Sequence, residues 1–100
     1  MQERRTSERV RADLTVRWET LKAQGRGSVC DLSSSGCFVL TGGEAAAGEL
    51  LRMDLIFSDE IATLWGNVVY AMNEMGFAVR FVSGSERDKQ AVARVISNAQ

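Results

Sequence analysis

The chain has 100 residues, 45% of them hydrophobic, and a formal net charge of −1 from 12 basic and 13 acidic side chains. One compact domain is all that this length can build around a core, and the apolar content is that of a globular protein, not of a disordered tail. Near-neutrality argues against a general electrostatic grip on nucleic acid polymers or anionic membranes, and the absence of His removes His-dependent triads, Cys-His dyads and imidazole metal sites.

The average conceals a segregation. Residues 1–30 carry a net charge of +3, residues 31–79 carry −6 and residues 80–100 carry +2. Ten of the 12 basic side chains are Arg, the residue suited to planar, bidentate contacts with phosphates and bases. No apolar run of signal-peptide type occurs near the start, and no stretch approaches the roughly 20 apolar residues that span a bilayer. Two cysteines, Cys30 and Cys37, without His partners do not make a zinc site. They read as small strand residues flanking a turn, reduced in a cytoplasmic setting.

Residues 1–13, with four Arg and almost no apolar side chain, read as a flexible arginine-rich arm, and residues 14–100 as the folded domain. Leu14, Val16 and Trp18 alternate with Thr15, Arg17 and Glu19, the period of a strand with one buried face, ending near Lys22. Residues 24–27, with Gly25 and Gly27, read as a turn, and Ser28 to Leu32 as a second strand. Ser33, Ser34, Ser35 and Gly36 make a tight loop, because short hydroxyls bond their own backbone and Gly admits positive φ. Cys37 to Leu40 is a third strand; the connection that follows holds three alanines able to form a helical turn. Leu51 to Phe57, Ile61 to Tyr70 and Gly76 to Val82 are the fourth, fifth and sixth strands. Trp18, Phe57, Phe77 and Phe81 fall on inward phases, Trp65 reads as barrel packing, and Met72 and Met75 read as cover for a barrel end.

The tail changes period. Val92, Val95, Ile96 and Ala99 share one helical face, and Ser83 with Glu86 or Ser85 with Asp88 supplies a cap. Six short strands without long internal helices predict a mainly β fold, a six-stranded antiparallel β-barrel with a C-terminal α-helix, closure removing the exposed sheet edges.

Two constellations carry chemistry. Arg4, Arg5 and Arg9 precede the barrel, with Arg5 and Arg9 four apart; such a pair is either a solvated charged terminus or two donors closing on one ligand. Asp31, Ser33 and Gly36 lie at a strand-to-turn junction. There a carboxylate accepts from the N–H edge of a guanine, a hydroxyl bonds beside it and Gly lets the backbone pass closely, or the side chains simply close a hairpin turn.

With Arg5-x-x-x-Arg9, Asp31-x-Ser33-x-x-Gly36 and the Gly76-Phe77-Ala78-Val79-Arg80-Phe81 strand in this order, the sequence resembles the PilZ domain family, which binds the bacterial second messenger cyclic di-GMP. The resemblance covers nearly the whole chain and implies the same barrel with its helix. It further implies that Arg5 and Arg9 meet phosphates and guanines, that Asp31 and Ser33 hold a guanine edge, and that Gly36 shapes the loop. Arg4 resembles the extra arginine of relatives that bind two intercalated ligands; the proline common near the second arginine is missing. The implied function is a non-enzymatic, cytoplasmic receptor module without cofactor or metal. It orders its arm on cyclic di-GMP and signals to a downstream protein, as a monomer or homodimer. A ligand-independent adaptor of the same fold is the alternative. A single-strand nucleic acid binder would need aromatics along a basic groove, and an enzyme would need a catalytic cluster that the sequence lacks. Arg80 and Arg94 read as solvated charges, Arg80 on an outward face within reach of the ligand.

Overall fold

Alternating side chains build six strands, β1 (Val10–Glu19), β2 (Gln24–Leu32), β3 (Gly36–Leu40), β4 (Leu50–Ile56), β5 (Ile61–Met72) and β6 (Gly76–Gly84), followed by one helix, α1 (Glu86–Ala99). The computed structural model describes residues 9–99. All strand pairs are antiparallel and close into a barrel in the order β1-β2-β3-β6-β5-β4. The expected fold class is therefore the observed one.

The inward phase of each strand fills the barrel. Val16, Trp18, Val29, Val39, Leu51, Met53, Leu55, Leu64 and Phe77 are buried. Trp18 and Phe77 meet edge to face, their ring centroids 5.1 Å apart, which adds about 0.5–1.5 kcal/mol to their burial. Trp18 Nε1 donates to Thr41 Oγ1 at 3.3 Å, and that hydroxyl donates to the Arg26 carbonyl at 2.7 Å, so the buried indole N–H has a partner. Helix α1 buries Ala91 and Val92, with Val95 and Ile96 partly buried against the same core. It packs on β5 and β1, and Arg94 ties it to Glu60 at the β4–β5 turn with a 2.6 Å contact. Its cap is the second of the two expected: the Asp88 N–H donates to Ser85 Oγ at 3.0 Å.

Several local expectations are corrected. The barrel starts at Val10 and not at Leu14: Val10 pairs with Leu32 and Arg11 with Asp31. Val10 and Ala12 carry the inward phase further toward the N-terminus, with a register shift between Arg11 and Leu14, and the surrounding arginines masked it. The remaining arm residues, 1–8, with Arg4 and Arg5, lie outside the described residues. The first turn is residues 20–23, where Thr20 Oγ1 accepts from the backbone N–H groups of Lys22 and Ala23. Gly25 and Gly27 belong to β2. Their requirement is tertiary: a Cβ on Gly25 would stand 2.7 Å from the Trp18 ring, and one on Gly27 would stand 2.2 Å from the Leu40 carbonyl oxygen. The alanine-rich connection forms no helix. Trp65, Met72 and Met75 are exposed and do not fill the barrel.

Candidate functional site

Asp31 follows a bulge: β2 and β3 shift register between Val29 and Asp31, and a bulge re-aims the side chains beside it. Leu32 then points into the core, while the Asp31 carboxylate faces the start of β1, where Arg9 Nη1 donates to Asp31 Oδ2 at 2.8 Å. Both side chains remain open to water, Arg9 at 66% and Asp31 at 38% exposure. An exposed pair of this kind contributes about 0–1 kcal/mol to stability, so it is easily rearranged. Among the described residues no donor meets Oδ1.

Ser33 sits differently from Asp31. It is buried at 2% exposure, and its Oγ accepts from the backbone N–H groups of Ser35 and Gly36, each at 3.2 Å. The hydroxyl therefore closes the β2–β3 turn, the hairpin reading of the motif. Gly36 has no left-handed φ, unlike Gly48 and Gly76. It is needed for close approach: it lies opposite Arg80 across β3 and β6, and a Cβ there would stand 2.2 Å from the Val79 carbonyl oxygen. Strand β6 thus runs tight against the turn, and a Phe81 N–H bond to the Ser35 carbonyl, 2.8 Å long, closes the seam.

The outward faces of β3, β6 and β5 complete the site. A groove of about 550 Å³ is lined by Arg9, Asp31, Phe38, Tyr70, Met75 and Arg80 among others, within the usual size range of small-molecule sites. Phe38 and Tyr70 lie with ring centroids 6.3 Å apart and planes inclined by 42°. Arg80 is exposed on β6, and among the described residues it makes no ion pair. Opposite it in the register, Gly36 puts no side chain on β3. The structure thus brings Arg9, Asp31 and Gly36 to one groove together with Arg80, which the sequence set on an outward face within reach, puts Ser33 beneath it as a turn closer, and adds Phe38 and Tyr70. The signal for the additions was present: the outward phase of β3 and β6 reads Phe38, Leu40, Ala78 and Arg80, too apolar for a fully solvated face.

Beneath the groove, Cys37 is buried and Cys30 half-buried, both reduced. Burial pushes the Cys37 thiol up to about 12, with the Asp31 carboxylate and Cys30 adding in the same direction and Arg9 opposing. The unfolded chain releases this proton from about pH 9, whereas the folded chain holds it. Stability is expected to fall as pH rises from about 9 toward 12, by up to about 1.4 kcal/mol per pH unit from this group. Denaturant unfolding at stepped pH checks this; Cys37→Ala should flatten the decline, and an unchanged slope would refute it. Among the described residues no three His, Cys, Asp or Glu cluster to hold a metal ion, and no helix is long and apolar enough to cross a membrane.

Fold and groove define a small closed barrel with a surface site built from arginines, a carboxylate and aromatic rings. The PilZ domain family model matches residues 3–98, and the chain belongs to the PilZ domain family. Among solved structures it is similar to the Bacillus subtilis inhibitor of motility MotI/DgrA, with TM-score 0.82 and 20% identity over 97% of this chain and 51% of that one. It thus spans about half the length of the Bacillus protein. The PilZ domain with c-di-GMP of YcgR from Escherichia coli matches with TM-score 0.75 and 16% identity, covering 97% of this chain and 92% of that domain. The PilZ domain of CeSA from a cellulose-synthesizing bacterium matches with TM-score 0.71 and 17% identity, covering 91% and 96%. No curated protein matches the sequence. At these identities the structural likeness establishes the fold.

Proposed function

We propose that the chain is a cyclic di-GMP receptor domain that takes its ligand into the groove between Arg9, Asp31 and Arg80 and passes the signal to a partner protein. The observation that carries this is the Arg9–Asp31 pair, 2.8 Å apart, at the edge of a groove that also holds a second cationic side chain and two aromatic rings. A cyclic dinucleotide offers two phosphates, two acceptor edges and two donor edges. Arginines match the phosphates and the guanine O6/N7 edge, Asp31 accepts from the guanine N–H edge, and Phe38 with Tyr70 supplies an apolar floor. In this reading Arg4 and Arg5 close over the ligand beside Arg9, while Ser33 and Gly36 hold the turn that aims Asp31.

The family match and the solved structure of the YcgR PilZ domain with c-di-GMP support the reading. Isothermal titration of the chain with cyclic di-GMP tests it: saturable heat is expected, and an absence of both heat and thermal shift would leave the ligand-independent adaptor. A stoichiometry of two ligands per chain would assign Arg4 its intercalated-pair role; one would remove it.

Arg80 provides a sharper check on the placement of the ligand. Its loss removes charge-assisted hydrogen bonds of about 1.5–3 kcal/mol, so Arg80→Ala is expected to weaken binding by about ten- to a hundredfold. Because Arg80 makes no ion pair among the described residues, the melting temperature should hold. Unchanged affinity would move the ligand off β6.

A further inference from the structure

At the far end of β1 from Arg9, the barrel presents a second surface that the groove above does not use. Two outward rows run across β2, β1 and β4. In one, Arg26 lies opposite Arg17, and Arg17 opposite Asp54. In the other, Gln24 lies opposite Glu19, Glu19 opposite Arg52, and Arg52 opposite Trp65 of β5. Clefts of about 460 and 360 Å³ lie along these rows and share Glu19 and Arg52, so they form one continuous surface.

The two ends of this surface differ in chemistry. At one end Leu21 is fully exposed, and Leu50 and Trp65 are about half exposed. Leu21 is not on a loose loop: the Thr20 hydroxyl holds the turn through two backbone N–H groups, and the Thr20 N–H donates to the Ala23 carbonyl at 2.7 Å. An apolar side chain fixed outward on a short turn, beside a leucine and an indole, is an anchor point of the kind that marks interaction surfaces.

At the other end two arginines, Arg17 and Arg26, stand directly opposite each other across β1 and β2. Like charges directly opposite in a ladder are unfavourable. Asp54 relieves Arg17 only in part: their contact is 3.6 Å, and Asp54 also accepts from Thr63 Oγ1 at 2.8 Å. Among the described residues no carboxylate pairs with Arg26. A carboxylate brought from outside would complete this end.

We infer that this surface docks an extended segment of a partner protein that carries apolar side chains followed by acidic ones, the apolar part against Leu21, Leu50 and Trp65 and the acidic part between Arg17 and Arg26. Charge complementarity selects the occupant. A purely apolar segment would leave the arginine pair unrelieved, and a basic one would be repelled by it. The two clefts share no lining residue with the groove that holds Arg9, so partner and groove ligand do not compete for the same side chains.

The test uses the whole chain, isotope-labelled for amide NMR, and a twelve-residue peptide with two Leu and one Phe followed by four Glu. Saturable shifts confined to Arg17, Leu21, Arg26, Leu50, Arg52 and Trp65 are expected. Leu21→Ser and Arg26→Glu should each weaken binding at least tenfold at unchanged melting temperature, and a peptide with Lys for Glu should not bind. No saturable shift up to about 1 mM, the weak end of specific association, would overturn the inference. So would equal binding of the lysine peptide. Inorganic phosphate alone reproducing the shifts at Arg17 and Arg26 would replace it with a simple anion site. A concentration-dependent doubling of mass in ultracentrifugation, abolished by Leu21→Ser, would replace it with a second copy of the chain.

Discussion

Arg9→Ala is expected to weaken cyclic di-GMP binding by about 2–5 kcal/mol, roughly 30- to 5,000-fold, the range for truncating one partner of a charged, hydrogen-bonded contact at an interface. Stability should change little, because the Arg9–Asp31 pair is exposed on both sides and such pairs contribute about 0–1 kcal/mol. The disparity follows from solvent. In the free protein the guanidinium exchanges its carboxylate for water at small cost; under a ligand that excludes water, the same donor has no substitute. Asp31→Ala should behave similarly, since its Oδ2 is engaged by Arg9 and the residue lines the groove. The double variant should lose less than the sum of the two, because each residue orients the other. Calorimetry beside thermal denaturation separates the effects. Full affinity in both single variants would place the ligand elsewhere, and a large fall in melting temperature would make the pair a structural clamp.

The parts of this protein legible in its sequence are those where one physical cause dominates. A period of two over Leu14–Trp18, Leu51–Phe57 or Phe77–Phe81 follows from burying one strand face, and it locates the first, fourth and sixth strands and the core tryptophan, while turn signals bracket the other three. The helix declared itself by its change of period. The errors cluster where local and tertiary causes share a residue type. Gly25 and Gly27 look like turn residues, yet they are glycine because Trp18 and the Leu40 carbonyl occupy the space of a side chain. Of the two roles the sequence offers Gly36, positive φ and close passage of the backbone, the structure shows the second, against Val79. Trp65 was assigned inward on size, although its place in the alternation, one residue from Leu64 and Gly66, sets it outward.

The candidate site was legible in a different way. Asp31, Ser33 and Gly36 were visible as a motif, but a motif does not say which member faces the ligand. The bulge before Asp31 and the buried turn around Ser33 divide them into one outward acceptor and two turn-forming residues. Arg80 reads from the sequence as a solvated charge on an outward face within reach of the ligand; the register that sets it opposite Gly36 makes it part of the groove. The same register logic uncovers Arg17 opposite Arg26, a pair separated by eight intervening residues in the sequence.

The barrel that holds both surfaces depends most on Trp18. Trp18→Ala is expected to cost about 3–5 kcal/mol, the range for removing a buried aromatic, and to lower the melting temperature by about 12–40 °C at about 4–8 °C per kcal/mol for a domain of this size. It removes the edge-to-face contact with Phe77 and the indole bond to Thr41. The remaining tryptophan, Trp65, is exposed, so residual emission should be red-shifted, which identifies the deleted residue spectroscopically. The indole also explains two glycines: a Cβ on Gly25 or Gly43 would approach its Cζ2 to 2.7 or 2.5 Å. Gly25→Ala should therefore cost about 1–3 kcal/mol in the native chain through overpacking. In a Trp18→Leu background, where that ring is gone, the same change should cost much less. The double-mutant cycle gives a coupling energy of at least about 1 kcal/mol if the glycine exists to seat the indole. An equal penalty in both backgrounds would instead assign Gly25 to the conformation of β2 itself, and the reason for a glycine-rich second strand would have to be sought in its backbone.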